Sequence, residues 1–187
     1  LESHVLLAAC LRSNQRDQEA LPLIEKVLEA NPCFAEAFAN RALIRLRAID
    51  ISGAIKDAEM ATSLKPHLNQ IWTLLGTLYS QTNNLVGAIE ALQQARKIEP
   101  MNVTVLLSLG EFLRQDNKTM AALSVLEEAM EINPNSAEVC SNLGNTLHEL
   151  GRSDEAEVNY KQAITLKPNL PEAHHNLCLL YTSPSPR

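Results

Sequence analysis

The sequence lacks the long apolar runs and basic clusters that would place it in two common protein classes. No apolar stretch approaches the roughly 20 residues that a membrane helix needs, so we expect no membrane span. The net charge is −6 and the charges are interspersed without a basic stripe, which argues against nucleic acid as a partner. Aromatic residues make up only 4% of the chain, a composition that suits a helical array rich in alanine and leucine.

The four cysteines show no CxxC spacing, which argues against paired thiol chemistry. They are Cys10, Cys33, Cys140 and Cys178. We expect free, mostly buried thiols in a reducing compartment, and therefore a cytoplasmic location. The pair His174 and His175 has no partners spaced as metal ligands, so we expect no metal and no other cofactor.

The sequence also lacks a nucleophile elbow, a phosphate-binding loop and a metalloprotease motif. Nothing in this segment supports catalysis, and we predict that it is not an enzyme.

What the sequence does contain is a repeat of 34 residues. Prolines recur at this step at Pro32, Pro66, Pro100, Pro134 and Pro168. Alanines do the same at Ala20, Ala54, Ala88, Ala122 and Ala156. The register predicts five repeats at 1–34, 35–68, 69–102, 103–136 and 137–170, and the start of a sixth at 171–177.

Small residues in each repeat predict where two antiparallel helices, A and B, cross. The eighth position is always small: Ala8, Ala42, Gly76, Gly110 and Gly144. We place this column and the alanine column at the A/B crossing, because helices approach closely only where side chains are small. Asn83, Asn117 and Gly151 mark the turn between the helices, since these residues tolerate the left-handed conformation. We expect helix B to be capped by Asp50 or Asn84 and, where that position is basic, by the next residue, Asp17, Thr119 or Ser153.

The residues of the third repeat give the pattern most fully: Trp72, Leu75, Gly76, Tyr79, Ala88, Leu92, Ala95 and Pro100. This pattern resembles the tetratricopeptide repeat (TPR) family over residues 1–177. The resemblance implies an all-α fold, an α-solenoid of antiparallel helix pairs coiled as a right-handed superhelix. We expect ten complete helices and part of another.

The second repeat departs from the pattern at Arg41 and Arg45, where the other repeats carry Leu or Tyr. We interpret both as residues whose aliphatic stems cover the core while their charged heads reach water.

In the TPR family helix A lines a concave groove, so the resemblance implies a set of groove residues here. They are Asn40, Leu43, Leu46, Arg47, Thr77, Glu111, Arg114, Asn142, Asn145 and His148. The first repeat adds Val5, Leu6 and Ala9, which together with Leu43 and Leu46 make the groove apolar in the first two repeats, whereas the fifth repeat is polar.

The resemblance also suggests binding modes. No repeat carries the lysine at the fifth position that chaperone-docking members use. An asparagine ladder at the sixth position, as in the TPR arm of O-linked N-acetylglucosamine transferases, is partial: Asn40, Asn142 and Asn176 fit, whereas Leu6, Leu74 and Ser108 do not. Asparagine side chains can hold an extended peptide backbone because they donate and accept at once.

We therefore predict a protein–protein interaction module that binds an extended peptide or partner segment of unknown identity. The alternative is the substrate-recruiting arm of a larger glycosyl- or sulfotransferase. We interpret residues 178–187 as a tail outside the array, either of non-native origin, because its back-translation matches a sequencing adapter, or a Ser/Pro linker. On this interpretation both ends fall inside the array.

Overall fold

The computed structural model describes residues 1–182, which form eleven α-helices and no strand. Two compact units divide the chain, Leu1–Ile98 and Glu99–Arg187. The helices of the first unit are α1 (Glu2–Ser13), α2 (Asp17–Ala30), α3 (Ala35–Arg47), α4 (Ile51–Leu64), α5 (Asn69–Gln81) and α6 (Leu85–Ile98). Those of the second unit are α7 (Val103–Gln115), α8 (Thr119–Ile132), α9 (Ala137–Glu149), α10 (Ser153–Leu166) and α11 (Pro171–Thr182).

Within each unit, consecutive helices pack in pairs and the pairs stack on one another. In the first unit α1 pairs with α2, α3 with α4 and α5 with α6, and in the second α7 pairs with α8 and α9 with α10. Helix α2 also contacts α3, and α4 contacts α5; in the second unit α8 contacts α9, and α10 contacts α11. The predicted all-α solenoid of helix pairs is confirmed.

The last helix, α11, continues past residue 177, where we expected the sixth repeat to stop. Leu177 and Leu180 both pack against a core cluster that contains Tyr160, and the Tyr181 hydroxyl donates to Glu157 Oε1 at 2.5 Å. Residues up to Thr182 are therefore helical, and the rest of the predicted tail lies outside the described residues. Our interpretation of where the tail comes from stays a prediction.

All five turns between helices A and B share one backbone geometry. The fifteenth residue of each repeat has a positive φ: Gln15 60°, Ile49 63°, Asn83 59°, Asn117 59° and Gly151 75°. The next residue donates its N–H to the carbonyl of the residue five before it, as in Asn84 to Tyr79 at 2.8 Å and Asp50 to Arg45 at 2.9 Å. Together with the bond from the fifteenth N–H to the twelfth carbonyl, this is a Schellman motif.

The backbone turn explains why one part of our capping prediction is wrong. Asp50 and Asn84 cap as predicted, accepting from Gly53 N at 2.9 Å and Gly87 N at 3.0 Å. The N-caps of α2, α8 and α10, however, are Arg16, Lys118 and Arg152, which make no side-chain cap bond. The predicted caps in those repeats are the first helical residues. The backbone hydrogen bonds of the turn determine the residue at which helix B begins, so the boundary is the same whether or not that residue's side chain can cap the helix.

Helices A and B approach each other closely where the eighth residue of a repeat is glycine and has no side chain. A Cβ added at Gly110 would lie 2.7 Å from Leu126 Cγ, and one at Gly144 would lie 2.7 Å from Tyr160 Cε1. Leu126 and Tyr160 are each 1% exposed. In the third, fourth and fifth repeats the glycine at the eighth position therefore receives the large side chain of the 24th position. In the third repeat the Ala88 carbonyl also lies 3.4 Å from a Cβ added at Gly76, so the alanine column borders the same close approach.

Arg41 and Arg45 do not hold their charges in water, as we expected, but bind a buried carboxylate. Arg41 donates to both oxygens of Asp57, Nε to Oδ2 at 2.8 Å and Nη2 to Oδ1 at 2.7 Å. Arg45 Nη1 lies 2.9 Å from Asp57 Oδ2. Asp57 is only 3% exposed. The bonds to Asp57 raise the pKa of the Arg41 guanidinium. These three residues form an ion cluster between α3 and α4.

We expect Gly110→Ala to destabilise the protein by about 1–3 kcal/mol through overpacking, offset by up to about 1 kcal/mol of helix propensity. Urea unfolding followed by circular dichroism measures the change. In a Leu126→Ala background the same substitution should cost nothing or stabilise, because the crowding atom is gone. An equal cost in both backgrounds would show that Leu126 does not fill the gap.

We expect Asp57→Asn to destabilise the protein by roughly 2–4 kcal/mol, because it removes the counter-ion of Arg41 and leaves Arg45 with only the longer ion pair to Asp50 at 3.7 Å. The triple variant Arg41→Leu, Arg45→Tyr, Asp57→Ala reproduces the residues of the third repeat at these positions. It should unfold within about 1 kcal/mol of the wild type or later, since apolar packing replaces a buried ion cluster at little cost. A triple variant less stable than Asp57→Asn alone would contradict this account.

We expect Ile49→Gly to stabilise the protein by about 1 kcal/mol, because a β-branched residue at φ 63° is strained and Ile49 is 82% exposed. Thermal melts check the sign. The matched reverse change, Asn83→Ile, should lower the midpoint; a rise there would show that the turn geometry carries no such cost.

Candidate functional site

The polar face of α9 lines a cavity in the second unit. Asn145, His148 and Glu149 stand three and four residues apart, so helical geometry places them on one side of α9. The cavity has a volume of about 300 Å³ and is completed by residues of the neighbouring helices, Arg114 of α7, Tyr160 of α10, and Asn176 and Leu179 of α11. We call it the α9 cavity.

The hydrogen bonds of the α9 cavity converge on one amide. Asn145 Oδ1 accepts from the Tyr160 hydroxyl at 2.9 Å and from Asn176 Nδ2 at 2.7 Å. Burial raises the pKa of Tyr160 to about 12, so the phenol remains protonated and available as the donor. The amide oxygen of Asn145 is thus fully used, and the bonds hold α9, α10 and α11 in register at this point.

The guanidinium of Arg114 binds two carboxylates, those of Glu111 and Glu149. Its Nε donates to Glu111 Oε2 at 3.2 Å and its Nη2 to Glu111 Oε1 at 2.8 Å, and its Nη1 donates to Glu149. Burial acts to lower the pKa of this guanidinium, but the bonds to Glu111 and Glu149 outweigh that effect and raise it. The group of three charges therefore carries a net negative charge.

His148 is half-buried in the wall of the cavity. Its Nδ1 is covered and makes no hydrogen bond to any residue from 1 to 182. A ligand in the cavity would therefore meet the other edge of the ring, which carries Nε2.

Three of the ten predicted groove residues, Arg114, Asn145 and His148, thus come together at this cavity. Glu111 reaches it only through Arg114. Asn142, one turn before, is half-buried, and its carbonyl accepts from the Thr146 hydroxyl at 2.8 Å. Tyr160 and Asn176 complete the cavity but were not among the predicted ten. The hydrogen-bonding partner of a residue on a different helix cannot be identified from the repeat register alone.

Most of the five predicted groove residues of the first unit already make hydrogen bonds, an ion pair or packing contacts with other residues of that unit. Asn40 uses both ends of its amide, since Oδ1 accepts from Arg12 Nε at 3.1 Å and Nδ2 donates to the Glu36 carbonyl at 2.8 Å. Arg47 pairs with Asp17 at 2.9 Å. The remaining three are Leu43, which is half-buried, Leu46, which packs against a core cluster, and Thr77, whose hydroxyl donates to the Thr73 carbonyl.

The apolar part of the predicted groove is smaller than expected. Val5 is 6% exposed and so belongs to the core, whereas Leu6 is 71% exposed. A second cavity of about 430 Å³ lies beside Leu6 in the first unit, lined also by Phe34, Glu36 and Lys65. Lys65 and Glu36, which both line this cavity, form an ion pair.

The cysteines are all free, but our expectation of burial holds for only one of them. Cys140 is buried, which raises the pKa of its thiol, whereas Cys10, Cys33 and Cys178 are exposed. Within residues 1–182 no cluster of three or more acidic, histidine or cysteine side chains could hold a metal ion. In the same part of the chain, no helix combines the length and the apolar character needed to cross a bilayer.

Several solved structures share this fold. YrrB, described as a TPR protein with an unusual peptide-binding site, superposes with a TM-score of 0.85 at 22% identity, over 92% of this chain and 89% of its own. MamA gives a TM-score of 0.79 at 20% identity, over 86% and 94%. The pilF protein of Pseudomonas aeruginosa gives 0.79 at 17% identity, over 97% and 82%. At these identities the likeness establishes the fold alone.

Sequence comparison assigns the family. None of the curated proteins compared with this sequence matches it. The family model described as the cytochrome c-type biogenesis protein H TPR domain matches residues 59–174, which is more than half of the chain. The helix pairs, their shared turns and this match lead to one conclusion: the chain belongs to the tetratricopeptide repeat family, as a member of the group that this model describes.

Proposed function

We propose that the chain is an interaction module that binds an extended peptide or partner segment along the helix-A surfaces of its units. The observation that carries this proposal is the α9 cavity, where helices α7, α9 and α11 place Arg114, Asn145, His148 and Asn176 around an open space of about 300 Å³. Binding sites of this kind combine a concave shape with a few convergent polar groups. The peptide-binding site in the description of YrrB, which has the same fold, supports the proposal.

In the first unit the proposed contact surface is apolar. Leu6 is exposed and Leu43 is half-buried, and both belong to helix-A segments that face the groove in the TPR family. Apolar surface that is contiguous and exposed marks a contact site in many proteins. We therefore propose that the ligand sets apolar side chains against the first unit and polar groups against the second, and that the protein acts in the cytoplasm without catalysing a reaction.

We expect Leu43→Asp to abolish binding of peptides selected from a random 15-residue library on the wild-type chain, because it places a charge in the apolar contact surface. Fluorescence anisotropy with the selected, labelled peptides measures affinity. The matched control is Val86→Asp, which puts the same charge at a 60% exposed position on α6, a helix B of the same unit. The control should bind as the wild type does.

Circular dichroism melts of both variants accompany the binding experiment. A Leu43→Asp chain that remains folded and binds normally would refute the apolar contact surface. A Leu43→Asp chain that unfolds would show that Leu43 is a core residue, which also refutes the assignment. A library that yields no binding peptide for the wild type would overturn the proposed function itself.

A further inference from the structure

The charges around the α9 cavity do not balance. Two carboxylates, Glu111 and Glu149, share the single guanidinium of Arg114. The nearest lysine and arginine along the chain, Lys118 and Arg152, are paired with Asp116 at 2.8 Å and with Glu155 at 2.6 Å. The cavity therefore has an excess negative charge, and a ligand that brings a positive charge would compensate it.

The hydrogen-bonding groups left open in the cavity include suitable acceptors. Glu149 uses Oε1 in its bond to Arg114, and among the described residues its Oε2 has no partner. Asn176 donates through Nδ2 to Asn145, and within the same part of the chain its Oδ1 accepts no bond. A carboxylate oxygen and an amide oxygen are the groups that an ammonium or guanidinium ligand needs, since such a cation only donates.

One wall of the cavity is apolar. Leu179 lines it and is 44% exposed. Lysine and arginine combine an aliphatic stem with a charged head, and their stems lie along apolar surfaces of this kind.

We propose that the α9 cavity holds a lysine or arginine side chain of the partner, with the stem against Leu179 and the cationic head between Glu149 and Asn176. This inference rests on the proposed peptide-binding function and specifies the chemistry of the peptide. A peptide carboxylate does not fit the cavity, because Nε, Nη1 and Nη2 of Arg114 already donate to two glutamates and a third carboxylate would add repulsion.

The cavity of the first unit also borders a carboxylate that has no counter-ion, at the edge of the apolar contact surface. It is lined by two carboxylates, Glu2 and Glu36, and one cation, Lys65. Lys65 pairs with Glu36, and Glu2 has no counter-ion among residues 1–182. Each unit therefore offers one uncompensated carboxylate beside a cavity.

The experiment uses the whole chain labelled with ¹⁵N and N-acetyl-arginine amide as the probe at millimolar concentration. We expect saturable shifts of the His148 ring signals and the Asn145 side-chain amide signals. His4 and His67, in the first unit, are internal references for non-specific effects. N-acetyl-norleucine amide, which keeps the stem and lacks the charge, should bind at least several-fold more weakly, and the α-amide of N-acetyl-glutamic acid should not bind.

Glu149→Gln should weaken binding of N-acetyl-arginine amide roughly fivefold, which is the effect of losing one partly exposed charge pair. The matched control is Glu155→Gln, which removes a glutamate that is also paired with one arginine, Arg152, but lies outside the cavity. The control should leave the affinity unchanged.

The proposal is overturned if the glutamate probe binds as well as the arginine probe, if norleucine matches arginine, if Glu149→Gln has no effect or if His148 and Asn145 do not shift. None of these results depends on the peptide library. A library that yields peptides without basic residues, together with an unresponsive cavity, would refute this inference and leave the proposed function standing. If the arginine probe shifts the cavity signals but the library yields no binding peptide, the cation preference of the cavity stands and the proposed peptide-binding function is refuted.

Discussion

The close approach of helix A to helix B at the eighth residue, which is glycine in the last three complete repeats, is the contact on which the rest of the structure depends. Gly110 leaves a gap that Leu126 fills, and Gly144 leaves one that Tyr160 fills. The contact recurs because the Schellman turn begins helix B at the same residue every time, which brings the eighth and 24th positions to the same level. Tyr160, held in this way, is also the residue whose hydroxyl reaches Asn145, so the packing contact positions the candidate site.

The parts of the fold that the sequence predicts are those that depend on one residue type at a time. The prolines that recur every 34 residues stand two residues after the end of each helix B, and Asn83, Asn117 and Gly151 adopt the left-handed turn because their side chains allow it. Ile49 adopts it too, although its side chain disfavours this conformation, so the repeat register is a better guide to the turn than residue preference. The caps were predicted from side chains alone, whereas backbone bonds decide where helix B starts.

Features that depend on pairs of residues were harder to predict. Arg41 and Arg45 look like surface residues when helix A is considered alone, and only Asp57 on the facing helix shows that they form an ion cluster. The position in a repeat places Asn40 and Arg47 on the helix-A face, but it does not show that Arg12, Glu36 and Asp17 already occupy their polar groups. The α9 cavity escaped prediction in part for the same reason, since Tyr160 and Asn176 belong to other repeats or helices.

The ion cluster between α3 and α4 has a consequence for how such arrays can change during evolution. If recombination replaced α3 alone with the corresponding helix of the third repeat, Asp57 would face leucine and tyrosine and lose both of its cations. If it replaced α4 alone, two arginines would face alanine. Either exchange buries an uncompensated charge, whereas moving both helices together keeps the cluster whole. For this part of the protein the hairpin of α3 and α4 is therefore the smallest segment that can be duplicated or transferred without burying an unpaired charge.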